Sequence, residues 1–232
     1  MRAIHHGRHL VQLERARLVN CFIVREDDGL TLVDTTFAGA AKGILPAVER
    51  AGAPLRRIVL THGHNDHIAS LDALHAAMPD AEILASARDA RLMAGDRSRP
   101  EGEPPGRLLA FNFTGARTAP TRTIAAGERV GSLEAVAAPG HTPGQLAFLD
   151  TRDGTLICGD AYATVGGVFV TTRAVMRFPF PALVGTWNKA VTYESAVRLR
   201  ALDPARLAPG HGPVVRAPGP AMDRALAEAP RG

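Results

Sequence analysis

Cysteine, lysine and aromatic residues are scarce in this sequence of 232 residues. The two cysteines, Cys21 and Cys158, form no CxxC pair, and nothing in the sequence suggests a disulfide framework. Only Lys42 and Lys189 are lysines, so the formal net charge of +4 is carried almost entirely by arginine. Those arginines are scattered, and the densest stretch, 88–107, also contains Asp and Glu. We therefore expect no nucleic-acid partner.

Long apolar runs are also missing. No segment approaches the roughly 20 apolar residues that a membrane-spanning helix needs, and residues 1–10 lack the apolar region of a signal peptide. We expect a cytoplasmic protein with no membrane partner. Hydrophobic residues make up 46% of the chain, which is enough for one α/β domain over residues 1–232.

Strand-like and helix-like segments alternate along the chain. The predicted strands are 18–24, 30–33, 57–60, 83–85, 133–138, 146–149, 155–158 and 206–208. The predicted helices are 38–51, 68–78 and 191–202. Two strand-rich halves with intervening helices favour stacked sheets with helices outside them.

Histidine and aspartate cluster where predicted strands end. Three histidines and an aspartate share the segment His62–His67, directly after the strand 57–60. Two further histidines each follow a Pro-Gly pair at a strand end, and one aspartate follows a glycine. Loops that leave strands commonly carry functional groups, and glycine permits a sharp turn beside them. The candidate ligands are His62, His64, Asp66, His67, His141, Asp160 and His211.

These side chains have the chemistry of a transition-metal site. Imidazole nitrogens with a few carboxylate oxygens suit zinc, and manganese and iron accept the same donors. Five histidines and two aspartates exceed one tetrahedral site and suffice for two sites that share a carboxylate. The remaining histidines, His5, His6, His9 and His75, are interpreted as exposed or structural.

The motifs together resemble the metallo-β-lactamase superfamily. The resemblance covers nearly the whole chain through five motifs: 33–35, 62–67, 139–144, 159–160 and 209–212. It implies a four-layer αββα sandwich with two divalent metal ions at one edge. By that resemblance His62, His64 and His141 bind the first metal, Asp66, His67 and His211 bind the second, and Asp160 bridges them.

The resemblance also implies a reaction. A hydroxide held between the metals would attack the carbonyl of an ester, lactone or thioester. Asp160 stands where some true β-lactamases carry cysteine, which favours the glyoxalase II and lactonase branch. Asp66 is a candidate to orient the hydroxide or transfer its proton. Tyr162 is a candidate donor to the oxyanion or the leaving group, with ordinary packing as the alternative.

An irregular segment of about 161–190 follows Asp160 and contains large apolar residues. In this superfamily such an insertion commonly covers the metals, so an apolar wall would suit a small-molecule substrate with an apolar portion. Packing against the sheets or a homodimer contact is the alternative. The candidate substrate contacts are Phe169, Met176, Phe178 and Trp187.

Three other functions remain open. A phosphodiesterase or nuclease would share the His62–His67 motif, although the chain has no concentrated basic arm. A persulfide dioxygenase would hold one iron per chain in a related fold. A binding protein on a hydrolase scaffold would not require all seven candidate ligands.

Overall fold

The computed structural model describes residues 1–172, 175–177, 180–182 and 185–230. Two compact units make up the chain. The first unit comprises Met1–Asp96 and Phe111–Ile124, and the second comprises Arg97–Ala110 and Ala125–Gly232. The prediction of a single domain over residues 1–232 stays a prediction.

A seven-stranded sheet forms the centre of the first unit, within the described residues. Its strands, in spatial and chain order, are β1 Arg2–His6, β2 Leu10–Arg15, β3 Val19–Glu26, β4 Gly29–Val33, β5 Leu55–Val59, β6 Glu82–Ser86 and β7 Arg122–Ile124. Strands β1 to β4 pair antiparallel, and β4 to β7 pair parallel. The helices around it are α1 Ala41–Ala51, α2 Asn65–Ile68, α3 Leu71–Ala77 and α4 Ala87–Met93, and a 3-10 helix spans Ala110–Phe113.

Apolar burial explains these elements. Every residue of β4 is buried, as is typical of a strand covered on both faces. Helix α1 buries Ile44 and Val48 on one face and ends at Gly52, which adopts a left-handed conformation. Because β4, β5 and β6 are parallel, their carboxyl ends meet at one edge of the sheet, where parallel sheets usually place binding groups.

The second unit contains a six-stranded sheet in the order β17-β16-β11-β10-β9-β8, within the described part of the chain. Those strands are β8 Arg129–Val130, β9 Leu133–Ala137, β10 Leu146–Asp150, β11 Thr155–Gly159, β16 Arg206–Pro209 and β17 Val215–Arg216. The remaining elements are β12 Tyr162–Ala163, β13 Phe169–Val170, β14 Val175–Arg177, β15 Phe180–Ala182, α5 Lys189–Ala201 and α6 Gly219–Glu228.

Strands β9, β11 and β16 run in the same direction. Each of β9 and β11 is antiparallel to β10, and β11 is parallel to β16. Their carboxyl ends therefore lie at one edge of this sheet, and they lead directly to His141, Asp160 and His211.

Most predicted strands are present within a few residues of their expected bounds. The predicted helix 68–78 is instead two short helices, because α2 begins at Asn65 inside the histidine motif and α3 begins at Leu71. Helices α4 and α6 were not predicted. Met176 lies in β14, and Phe178 lies outside the described residues. Among the described residues, no helix has the length and apolar character needed to cross a bilayer.

Candidate metal centre

The histidine motif of the first unit packs its three imidazole rings together below the surface. His62, His64 and His67 are 1%, 5% and 0% exposed. The ring centroids of His62 and His64 lie 4.8 Å apart, and those of His62 and His67 lie 4.1 Å apart. The side chain of Asp66 is 30% exposed, and its Oδ2 lies 3.9 Å from His67 Nε2. The first unit thus presents four potential ligands, of which Asp66 reaches solvent most.

Asp34, directly after β4, holds this motif in place. Its Oδ1 accepts the backbone N–H of Thr61 at 2.8 Å, and its Oδ2 accepts the Thr61 hydroxyl at 2.7 Å. The same Oδ2 lies 2.8 Å from His67 Nδ1. Because a carboxylate only accepts, the His67 proton is on Nδ1 and its Nε2 lone pair is left for a metal.

A second aspartate fixes the middle of the motif. Asp89, on α4, is 1% exposed, and its carboxylate accepts the N–H of Gly63 at 2.9 Å. A Cβ on Gly63 would lie 3.1 Å from side-chain atoms of both Met93 and Phe113. The Phe113 ring also meets the His64 ring edge-on at 5.0 Å between centroids. The backbone around His64 is thereby confined on two sides.

In the second unit one carboxylate oxygen lies between two histidines. Asp160 Oδ2 is 3.4 Å from His141 Nε2 and 3.2 Å from His211 Nε2. All three residues are at most 5% exposed. The loops after β9, β11 and β16 therefore bring His141, Asp160 and His211 together within this unit, as the sequence predicted.

Glycine next to His141 is required by close packing. Gly140 has φ of +139°, and a Cβ there would lie 2.4 Å from both the backbone N and the Cα of Thr192 on α5. Only glycine accommodates both the left-handed backbone and that approach. The hydroxyl of Ser195, one turn further along α5, donates to the carbonyl of Pro139. The start of α5 thus fixes the turn that presents His141.

The end of the segment 161–190 is attached to the same turn. The N–H of Trp187 donates to the His141 carbonyl at 2.9 Å, and that of Asn188 donates to the Gly140 carbonyl at 2.9 Å. Trp187 is 5% exposed, and its indole ring occupies the space that a Cβ on Gly106 would need. These contacts favour packing for Trp187, and its role as a substrate contact stays a prediction.

Comparison with known proteins identifies the family. The metallo-beta-lactamase superfamily profile matches residues 15–211. The chain belongs to the metallo-β-lactamase superfamily. The chain is 43% identical to the uncharacterized protein YobT of Bacillus subtilis (strain 168), across 92% of this chain and 91% of that one. It is 33% identical to a hydroxyacylglutathione hydrolase of Acidiphilium cryptum (strain JF-5), across 62% of this chain and 49% of that one.

Solved structures agree on the fold. The crystal structure of TTHA1623 in a di-iron-bound form is 25% identical to this chain, with a TM-score of 0.66, and covers 91% of this chain and 96% of its own. The predicted metallo-β-lactamase fold is therefore confirmed.

Membership of the metallo-β-lactamase superfamily makes this chain a metal-dependent hydrolase. Among the described residues, His and Asp side chains form groups that could hold a metal ion. The donors are chemically suitable for a divalent metal, since they are imidazole nitrogens and carboxylate oxygens that lie mostly below the surface.

Tyr162 of this superfamily member lies in the core of the second unit. Its side chain is fully buried, and its hydroxyl donates to the carbonyl of Ala196 on α5 at 2.8 Å. Burial raises the pKa of this hydroxyl well above its ordinary value, with a smaller contribution from the nearby Cys158. These contacts favour a structural role, and a catalytic role stays a prediction.

We expect Tyr162→Phe to keep kcat/KM within about threefold and to lower the free energy of unfolding by about 1 kcal/mol, the net value of one hydrogen bond. Steady-state kinetics and urea denaturation measure both quantities. A loss of kcat beyond about 100-fold with unchanged stability would instead show the catalytic role, since proton donors contribute on that scale.

Sequence reasoning identified the candidate ligands but not the residues that orient them. Asp34 is part of the motif 33–35, and Asp89 belongs to none of the sequence motifs. One signal was present: Asp34 follows a buried strand just as the histidine motif does. Phe169, a predicted substrate contact, is 5% exposed and lines a small cavity with Ala225 and Ala229 of the same unit.

Proposed function

We propose that this chain is a dinuclear metal hydrolase that cleaves an ester, a lactone or a thioester. The assignment of ligands follows the family resemblance. His62, His64 and His141 would hold one metal, and Asp66, His67 and His211 would hold the other. Asp160 would be shared between them.

The environment of Asp160 carries this proposal. One of its carboxylate oxygens lies 3.4 Å from the Nε2 atom of His141 and 3.2 Å from that of His211. These two histidines are assigned to different metals, so a carboxylate placed between them has the position of a bridging ligand. Donor atoms 3.2–3.4 Å apart also fit the ligands of one tetrahedral ion with metal–ligand distances of about 2.0 Å. It is therefore the number of candidate donors, seven, that favours two ions over one.

The protein groups around the site have defined parts in the proposed reaction. When bound, divalent metals polarise a carbonyl oxygen and lower the pKa of water to about 7. Asp34 holds His67 with its Nε2 directed away from the carboxylate. Asp66 is partly exposed, so it is the candidate to orient the attacking water and pass its proton to solvent. We propose zinc as the metal, with manganese or iron as alternatives, because all three accept imidazole and carboxylate donors.

The choice of substrate class rests on relatives. Proteins named hydroxyacylglutathione hydrolase are among the similar proteins. An acyl group carried on the thiol of glutathione is a thioester, so these relatives support a thioester as the substrate. The chain spans about half of their length, 48% and 49% in two cases. We propose a small-molecule substrate with an apolar portion, and neither nucleic acid nor a membrane as partner. A homodimer stays a prediction.

A substrate panel tests the proposal. Protein loaded with zinc, manganese or iron should hydrolyse at least one thioester, lactone or aryl ester, and a His64→Ala variant should lose that activity. His75→Ala is the matched control, because His75 lies on α3 and is in none of the candidate metal-binding groups of the described residues. Turnover of a phosphodiester alone, or oxygen-dependent persulfide consumption with one iron per chain, would contradict the proposal in favour of the two alternative activities.

A further inference from the structure

We propose that Thr186 is a positioning residue that keeps the ring proton of His141 on Nδ1 and so keeps Nε2 available to a metal. This inference deepens the proposed function and rests on its assignment of His141 as a ligand. Thr186 and His141 both lie within the second unit.

The direction of two hydrogen bonds determines the position of this proton. Thr186 Oγ1 lies 2.7 Å from the carbonyl oxygen of Thr171 and 3.2 Å from His141 Nδ1. A carbonyl oxygen only accepts, so the single hydroxyl proton of Thr186 is used toward Thr171. The hydroxyl can then only accept from His141, which requires the proton on Nδ1. The lone pair of His141 is therefore on Nε2, the atom that lies 3.4 Å from Asp160.

Threonine plays the same part in the first unit. Thr61 donates its hydroxyl proton to Asp34 Oδ2 at 2.7 Å and lies 3.0 Å from His62 Nδ1. Asp34 Oδ2 also accepts from His67, so the carboxylate is the acceptor and the Thr61 hydroxyl has no proton left for His62. By the same logic His62 carries its proton on Nδ1. In each unit a threonine hydroxyl therefore accepts the Nδ1 proton of a histidine, Thr61 for His62 and Thr186 for His141.

Hydrogen bonds of Thr186 and of the residue after it fix the position of the Thr186 side chain. It precedes Trp187, whose N–H donates to the His141 carbonyl at 2.9 Å. Thr171, which accepts its proton, donates its own hydroxyl to the carbonyl of Asp160. Hydrogen bonds through Thr171 and Thr186 therefore link the backbone of Asp160 to the ring of His141. Partners of this kind fix the tautomer and orientation of metal-binding histidines.

Substitution with an isosteric residue tests the inference. In Thr186→Val the methyl group cannot accept from Nδ1, and we expect metal affinity to fall about 10- to 100-fold, the usual effect of losing such a partner. Thr186→Ser keeps the hydroxyl and should restore affinity to within about threefold of the wild type. Zinc dissociation constants from chelator competition measure this effect.

Thr172→Val is the matched control for the loss of a threonine hydroxyl. Thr172 lies in the same segment, is 1% exposed, and its hydroxyl has no hydrogen-bond partner among the described residues. We expect its zinc affinity to equal that of the wild type. Equal weakening in Thr172→Val and Thr186→Val, or no weakening in Thr186→Val, would overturn the inference.

A second readout needs neither metal nor a variant that folds well. Long-range ¹H–¹⁵N spectra of the metal-free wild type report the tautomer of each neutral imidazole, and we expect His141 to be protonated on Nδ1. Protonation on Nε2 would overturn the inference even if the wild type binds two metals and hydrolyses its substrate. If the wild type instead shows the Nδ1 tautomer but binds no metal, the proposed function fails while the positioning of His141 by Thr186 stands.

Discussion

Replacing Asp160 with asparagine should remove most of the activity and part of the metal. The variant keeps the side-chain shape but loses the negative charge beside His141 and His211. A metal supplies several kcal/mol of transition-state stabilisation, and each 1.36 kcal/mol corresponds to a tenfold change in rate. We therefore expect kcat/KM to fall by about 100- to 1,000-fold or more and the metal content to fall below two ions per chain. Steady-state kinetics and elemental analysis measure these effects.

Asp203→Asn is the control for this change. The Asp203 side chain is 87% exposed and pairs with Arg200 at the surface, and its positive φ of 47° is tolerated by asparagine. We expect wild-type kinetics and metal content from this variant. If Asp160→Asn retained two metals and full activity, Asp160 would not be a shared ligand. The position of Asp160 between His141 and His211 would then no longer support a dinuclear site.

Asp34→Asn should weaken metal binding without removing any ligand. Asparagine would place an amide NH₂ or a single carbonyl oxygen where Asp34 now accepts from Thr61 and His67. One of those donors would lose its acceptor, and His67 would no longer be held with its proton on Nδ1. We expect metal affinity and kcat/KM to fall about 10- to 100-fold. Chelator competition and kinetics measure the two quantities.

The backbone does not confound this experiment. Asp34 has a left-handed backbone with φ of 63°, a conformation in which asparagine is at least as well tolerated. Asp80→Asn, at an exposed position of the same unit, controls for the loss of one negative charge. Unchanged metal affinity in Asp34→Asn would show that the Asp34–His67 hydrogen bond does not orient a ligand.

The candidate ligands stand out in the sequence because they lie in short local motifs. His62, His64 and Asp66 lie within one short segment, and the glycines before His141 and Asp160 mark strand ends. The residues that orient these ligands could not be predicted in the same way. Asp34 and His67 are 33 residues apart in the sequence, and His141 and Thr186 are 45 residues apart. Such pairs depend on which strands are neighbours, and a single sequence does not specify that order.

Two helices escaped prediction for a different physical reason. Helix α4 buries only Asp89 and Leu92, so it has no apolar periodicity that a sequence pattern could reveal. Helix α6 begins with Gly219 and Pro220, which are typical of a turn, although proline is well tolerated in the first turn of a helix. A local signal for α4 was present in its N-cap, where the Ser86 hydroxyl accepts the backbone N–H of Asp89.

Two of the predicted substrate contacts are enclosed by protein. Phe169 and Trp187 are both 5% exposed, which leaves little of either ring for a ligand. Met176 lies in β14, and Phe178 lies outside the described residues. Substrate specificity is therefore addressed by the substrate panel and not by these side chains.

Elemental analysis of the purified protein tests the central claim most directly. Seven suitable donors with one shared carboxylate predict two divalent metal ions per chain in the wild type, and fewer than two in Asp160→Asn. One iron per chain, or no bound metal after incubation with zinc, manganese or iron, would contradict the dinuclear site proposed for this chain.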